Sequence, residues 1–337
     1  SLLDNHDEIL QFPGIIHINE KLRKILSHRS KKKIAQDFIK EYLSFFDSRK
    51  SNIERHYMLG DKKNQFYKID KKKFIERFIL LSKKNFLYKD KLFQNLFLLH
   101  LAYDLTNNKK KKLLVINAHI IPYVFNFEKL FKGINYEIIH TIRHPLSAMS
   151  STLKNWLKFK NGVYLKPKEL FYNLDTIVFG IQKLKKLKKK IYIIQLENLH
   201  QKLNLVMLHF CKIYNLKFKK CLRKSTYHNL KWWGDKISGK DLNGINKNFK
   251  ISYNLDFFEE GDLEYLKYIL DDILKKYNYE INTSRKAALH LKPLKCELIS
   301  WKNTIKNKQI KHFFSIIYHY LKRILKFNKF FIKNITL

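Results

Sequence analysis

Glycine, proline and alanine are scarce in this chain of 337 residues, which has only 9 glycines and 5 prolines, while Lys, Asn, Ile, Phe and Tyr abound. That skew is what an AT-rich coding bias imposes, and most of the formal charge of +39 follows from it. Cysteine is also sparse: Cys211, Cys221 and Cys296 have no metal-binding spacing and cannot pair completely. This excludes a zinc site and a disulfide framework and fits a reducing, cytoplasmic setting. No apolar run approaches the roughly eighteen residues of a membrane span, and no signal peptide is visible. The chain opens on Ser1, however, so a signal or anchor ahead of it stays an open matter.

What is present suffices for a substantial core, with 45% hydrophobic and 15% aromatic residues. The length suits one large α/β domain or two smaller ones. Residues 30–108 read as a mostly helical insertion: Ile34, Phe38, Tyr42 and Phe45 recur at helical spacing, as do Phe74, Phe78 and Leu81, then Leu92, Leu96, Leu99 and Tyr103. The run Lys109–Lys112 is expected to be a solvated turn. From 113 to 214 strand and helix alternate, with strands at 113–117, 136–142 and 191–195. This pattern predicts a parallel sheet with its ligand at the carboxyl ends of the strands.

The stretch Ile138-Ile-His-Thr-Ile-Arg-His-Pro-Leu-Ser-Ala-Met-Ser-Ser151 is a short strand running into a helix. Pro145 suits the first helical turn, where its missing N–H costs nothing. A strand-to-helix turn presents backbone amides and a positive dipole end, so it favours an anion. Arg143 adds a fork able to grip phosphate, and Ser147, Ser150 and Ser151 add hydroxyls.

Strand, Arg-x-Pro, and a serine eight positions after the arginine resembles the 3'-phosphate-binding element of the sulfotransferase family. The resemblance implies a P-loop NTPase-like α/β fold, three layers with a parallel sheet flanked by helices. The co-substrate would be 3'-phosphoadenosine-5'-phosphosulfate (PAPS), with Arg143 and Ser151 on its 3'-phosphate and no metal. Ser1-Leu-Leu-Asp-Asn-His-Asp-Glu-Ile-Leu-Gln-Phe-Pro-Gly14 reads as a helix end and a turn. It is similar to the segment that in this family follows the Gly-rich loop for the 5'-phosphosulfate end. The first strand and that loop are therefore expected ahead of Ser1.

Further positions extend the resemblance. Asn117-Ala-His119 stands where the family has Lys-Thr-His, so His119 is the candidate base, while Asn117 departs from the lysine. An imidazole suits that role because an attacking alcohol must lose a proton near neutral pH. Glu197, in Gln-Leu-Glu-Asn-Leu199, matches an acidic residue with a supporting role at a helix start. The segment Ser225–Lys240 resembles the loop that folds over the nucleotide. Trp232 and Trp233 could stack a purine or line the acceptor cleft, Gly234 gives the turn, and Lys236 or Lys240 could meet phosphate.

Residues 1–284 are thus expected to form the sulfotransferase domain and 285–337 a basic helical extension. That extension carries thirteen Lys and Arg against the single acid Glu297, with Phe313, Ile317, Tyr320 and Ile324 on one face. It reads either as a helix packed on the domain or as an amphipathic helix touching an anionic membrane. The acceptor is expected to be a hydroxyl compound, by preference a glycan, given the Trp and Tyr content. A kinase of similar architecture would need an acidic magnesium ligand at a strand end, and none stands near His119 or Arg143. A nucleic-acid-binding protein would explain the charge, but the basic residues spread along the whole chain, which disfavours nucleic acid as the partner.

Overall fold

Short polar residues set where the N-terminal helices begin. The side chains of Asn19, Ser30, Asp70 and Asp90 each accept a backbone N–H from the first turn that follows, which satisfies donors that a helix start leaves open. The computed structural model describes residues 2–50, 57–84, 88–104, 111–157, 166–234, 245–246, 250–251, 255–279, 292–306 and 313–335, without the side chains of 155–157, 255 and 328–335.

In chain order the elements are β1 (Ile9–Gln11), α1 (Glu20–Leu26), α2 (Lys31–Glu41), α3 (Leu43–Phe46), α4 (Lys71–Ser82), α5 (Lys91–Tyr103), β2 (Leu113–Val115), α6 (Ile121–Leu130), β3 (Ile138–Ile142), α7 (Pro145–Leu157), α8 (Pro167–Lys185), β4 (Ile191–Gln195), α9 (Leu196–Gln201), α10 (Leu203–Ile213), β5 (Thr226–Tyr227), β6 (Leu230–Lys231), α11 (Glu260–Lys276), α12 (Lys295–Lys306) and α13 (Phe313–Ile335). The chain divides into two compact units: residues 1–138 with 198–249, and residues 139–197 with 250–337.

In the first unit β1 pairs parallel with β2, Ile9 facing Leu113 and Gln11 facing Val115. The helices α1, α2, α4, α5 and α6 bury one large cluster that includes Phe12, Phe38, Phe46, Phe78 and Leu99. Ile34, Phe38, Tyr42 and Phe45 are all buried, as their spacing predicts. A second cluster joins Ile9 to Met207, Phe210 and Leu222 around α10. The second unit pairs β3 with β4 and packs α7, α8, α11, α12 and α13 around Leu146, Leu174, Leu266, Leu294 and Phe327.

Three expectations change. Ile9–Gln11, read as part of a helix end and turn, is a strand, because Ile9 and Leu10 are buried beside β2. The expected single parallel sheet gives way, among the described residues, to three two-stranded sheets. Strands of two to five residues make too few ladder bonds to hold a broad sheet alone, and the helical clusters supply the core instead. The expected boundary at 284 lies outside the described residues. The helices beyond it share a hydrophobic cluster with α7, α8 and α11 and are not a separate appendage.

Candidate functional site

The strand-to-helix junction in the second unit forms as its sequence predicts: β3 ends at Ile142, and Pro145 opens α7. His144, the residue before that proline, is buried. Its backbone N–H donates to Glu197 Oε1 at 2.8 Å, and its Nδ1 accepts the Ser147 N–H at 3.3 Å. Glu197 Oε2 accepts the Tyr279 hydroxyl at 3.1 Å, and the Tyr279 ring meets the His144 imidazole edge-on at 5.0 Å. Burial holds the His144 pKa below its usual value despite the nearby Glu197 charge, which favours the neutral ring. The carboxylate of Glu197 therefore sits where the helix start invites an anion. Glu197 is the internal guest of the turn.

What the junction can offer an external anion rests on side chains. Arg143 Nη2 donates to Ser147 Oγ at 2.9 Å, while its Nε is buried without a hydrogen-bond partner among the described residues. Burial lowers the guanidinium pKa, and the charge of Glu197 works against that shift. Ser151 is half-buried. It lies one helical turn beyond Ser147, so the two share a face of α7. The geometry thus extends from Arg143 through Ser147 toward Ser151. A desolvated guanidinium with an unused buried donor and hydroxyls in series fits a phosphate. Ser147 as the direct partner of Arg143, and Tyr279 as the second clamp on Glu197, were not legible from spacing. Tyr279 joins from more than eighty residues away.

The other candidates belong to the first unit. His119 is exposed, in a bend between β2 and α6, and the neighbouring carbonyl of Asn117 accepts the Ile16 N–H at 3.1 Å. Trp232 packs with Leu59, Tyr67 and Tyr227, its ring 5.5 Å from that of Tyr227. It is half-buried against this cluster. Trp233 donates from Nε1 to the Gly60 carbonyl at 2.6 Å, and the ammonium groups of Lys231 and Lys63 lie 3.9 and 4.8 Å from its ring centre. Both tryptophans thus have intramolecular partners. Gly234 is buried with φ of 94°, a conformation suited to glycine. Lys236 and Lys240 lie outside the described residues.

The N-terminal motif has a structural task here. Asp4 Oδ2 accepts from Thr226 Oγ1 at 2.8 Å and from the Asn229 N–H at 2.9 Å. It thereby fixes the β5–β6 hairpin, whose two turn residues, His228 and Asn229, have φ of 48° and 63°. His6, Asp7 and Glu8 bring donor atoms within 4.8 Å of one another, the spacing of a metal site. Most of these atoms are already engaged: Asp7 Oδ2 with Lys219 at 2.7 Å, Glu8 with Lys112 at 2.7 Å, and His6 Nε2 with the Lys217 carbonyl at 2.9 Å. This arrangement is a set of ion pairs and hydrogen bonds that ties the first strand to the segment after α10.

Compared with protein-family models, curated proteins and solved structures, the chain matches none of them.

Proposed function

We propose that the chain is a transferase that grips a phosphate-bearing donor at the β3–α7 junction. More specifically, we propose a PAPS-dependent sulfotransferase that moves a sulfonate group to the hydroxyl of an acceptor, by preference a glycan. The observation that carries this reading is Arg143: a partly desolvated guanidinium at a strand-to-helix turn, tied to Ser147 and leaving a buried Nε donor unused. With Ser151 on the same helix face, it would hold the donor's 3'-phosphate through side chains alone, since Glu197 already occupies the backbone amide of the turn.

In this reading the acceptor oxygen bonds to sulfur as the sulfur–phosphate oxygen bond breaks, and His119 takes the hydroxyl proton. Such a reaction asks the protein for alignment and for stabilisation of charge on the leaving bisphosphate. The role of His119 rests on its place in the resemblance.

Titration of 3',5'-adenosine bisphosphate into the chain, beside Arg143→Ala and Ser151→Ala, tests the reading. A charge-assisted pair of hydrogen bonds is worth about 1.5–3 kcal/mol, so Arg143→Ala should weaken binding roughly 10- to 150-fold. Ser151→Ala should weaken it severalfold. Circular dichroism checks that both variants stay folded. No binding by the wild type, or binding indifferent to both changes, would overturn the proposal. His119→Ala should keep nucleotide affinity and lose turnover.

A further inference from the structure

Helix α13 has two apolar faces, and the fold uses only one of them. The inner face buries Ile316, His319, Arg323 and Phe327. Arg323, fully buried, donates from Nε to Glu297 Oε1 at 2.7 Å and from Nη2 to the Lys292 carbonyl at 2.8 Å, while Lys326 pairs with Asp175 of α8. These contacts fix the helix's rotation and leave the opposite face outward.

That outer face carries Phe313, Phe314, Ile317, Tyr318, Leu321 and Leu325, each between 43% and 77% exposed. It runs from Phe313 to Leu325, thirteen residues and about 18 Å of helix at 1.5 Å per step. The expected stripe of Phe313, Ile317, Tyr320 and Ile324 is thus rotated: Tyr320 and Ile324 are half-buried, and Phe314, Tyr318 and Leu325 replace them outside. Beside it, α12 exposes Leu298 and Ile305, and an apolar groove of about 390 Å³ lies between the two helices, lined by Trp301, Ile305, Phe313 and Ile317 among others. Neighbouring bulky apolar side chains left exposed on two adjacent helices mark an interaction surface rather than scattered surface residues.

Charge identifies the occupant. Lys302 and Lys306 are exposed around Ile305, and Lys322 lies at the edge of the stripe, 5.4 Å from the Tyr318 ring centre. The acid of this region, Glu297, is buried against Arg323, so no carboxylate opposes the lysines from α12 or α13. We infer that this face docks on an anionic lipid bilayer, with α13 lying in the plane of the interface and its lysines reaching the headgroups. Bulky apolar side chains outward with lysines at the flanks are what an interfacial helix requires. Among the described residues no helix is long and apolar enough to cross a membrane, so the contact is peripheral. A second copy of the chain would set lysine against lysine across the same face.

The test is vesicle flotation of the full chain, using phosphatidylcholine alone and phosphatidylcholine with about a third phosphatidylserine. A charge of +39 could by itself draw the chain to an anionic surface, so the deciding variant leaves charge unchanged. Phe314→Ser with Leu325→Ser alters two exposed positions and should reduce partitioning about tenfold or more. Lys302→Gln with Lys306→Gln should reduce it severalfold. Failure of the wild type to float with anionic vesicles would overturn the inference, as would equal flotation of the Phe314/Leu325 variant. A dimer in sedimentation velocity that this variant dissolves, without vesicle binding, would assign the face to a second copy instead.

Discussion

Acid should unfold the first unit at a pH set by two histidines. His100 is buried on α5 against the Phe12 ring, centres 4.1 Å apart. Its Nδ1 meets the Leu96 carbonyl at 2.8 Å, while Nε2 has no hydrogen-bond partner among the described residues. A proton on Nε2 would therefore enter an apolar pocket, and burial pushes the pKa from 6.5 to about 4. His228, with Nε2 2.6 Å from the Tyr103 hydroxyl and its ring 3.9 Å from that of Tyr67, is likewise pushed by burial from 6.5 to about 4. In the unfolded chain both rings bind protons near their ordinary pKa, and in the folded chain they do so only near 4. Unfolding between those values therefore takes up about two protons, and stability falls as pH falls. Each histidine contributes about 1.4 kcal/mol per pH unit, roughly 3 kcal/mol across the window and about 6–7 kcal/mol for the pair. Against a typical total of about 5–15 kcal/mol, the pair removes about 4 kcal/mol by pH 5 and the full amount near pH 4, enough to unfold a unit of low stability as pH 4 is approached. Urea unfolding followed by tryptophan fluorescence in a series from about pH 7 to 5 reads the slope. Replacing His100 by Leu should lower the proton uptake by about one. Midpoints that stay flat over this range, or a slope that His100→Leu leaves unchanged, would refute the reasoning.

Two further outcomes follow from close contacts. Glu197→Ala strips acceptors from the His144 N–H and the Tyr279 hydroxyl, and should destabilise by about 2–4 kcal/mol; Glu197→Gln, which keeps one acceptor oxygen, should cost less. A chemical denaturation midpoint for Glu197→Ala equal to wild type would contradict the clamp. Gly60→Ala meets a φ of +78° and places a Cβ against the flexible end of Gln65, so the loss of about 1–2 kcal/mol should come from the backbone. Removing Gln65 as well should then fail to restore the thermal midpoint.

The sequence makes the helices legible where apolar spacing is long and regular. Ile34 to Phe45, Phe74 to Phe78 and Leu96 to Tyr103 form buried faces because several turns vote for the same side. The β3–α7 junction is equally readable, since Pro145 and Arg143 act locally. Strand partnership is not, because a strand of three residues such as β1 carries too little pattern to name its neighbour. The surroundings of the tryptophan pair are illegible for a related reason. What each indole packs against depends on Leu59, Tyr67 and Gly60, more than 160 residues earlier. Likewise the stripe on α13 is misplaced by about a residue, since burial of Arg323 is decided by its partner Glu297 on α12 and not by apolar periodicity.

Each compact unit is assembled from two stretches that the other unit's residues interrupt in sequence. During synthesis, the first unit cannot close around β1, α10 and the hairpin until residue 249 has emerged. The junction at Arg143 likewise waits for Tyr279 to reach Glu197. Such distant closures are slow relative to local ones and leave apolar surface uncovered in the interval. No single cut in the chain releases either unit whole. A fragment ending at residue 138, or one beginning at 139, should behave as an incomplete fold, and pairs of fragments should regain structure only when mixed.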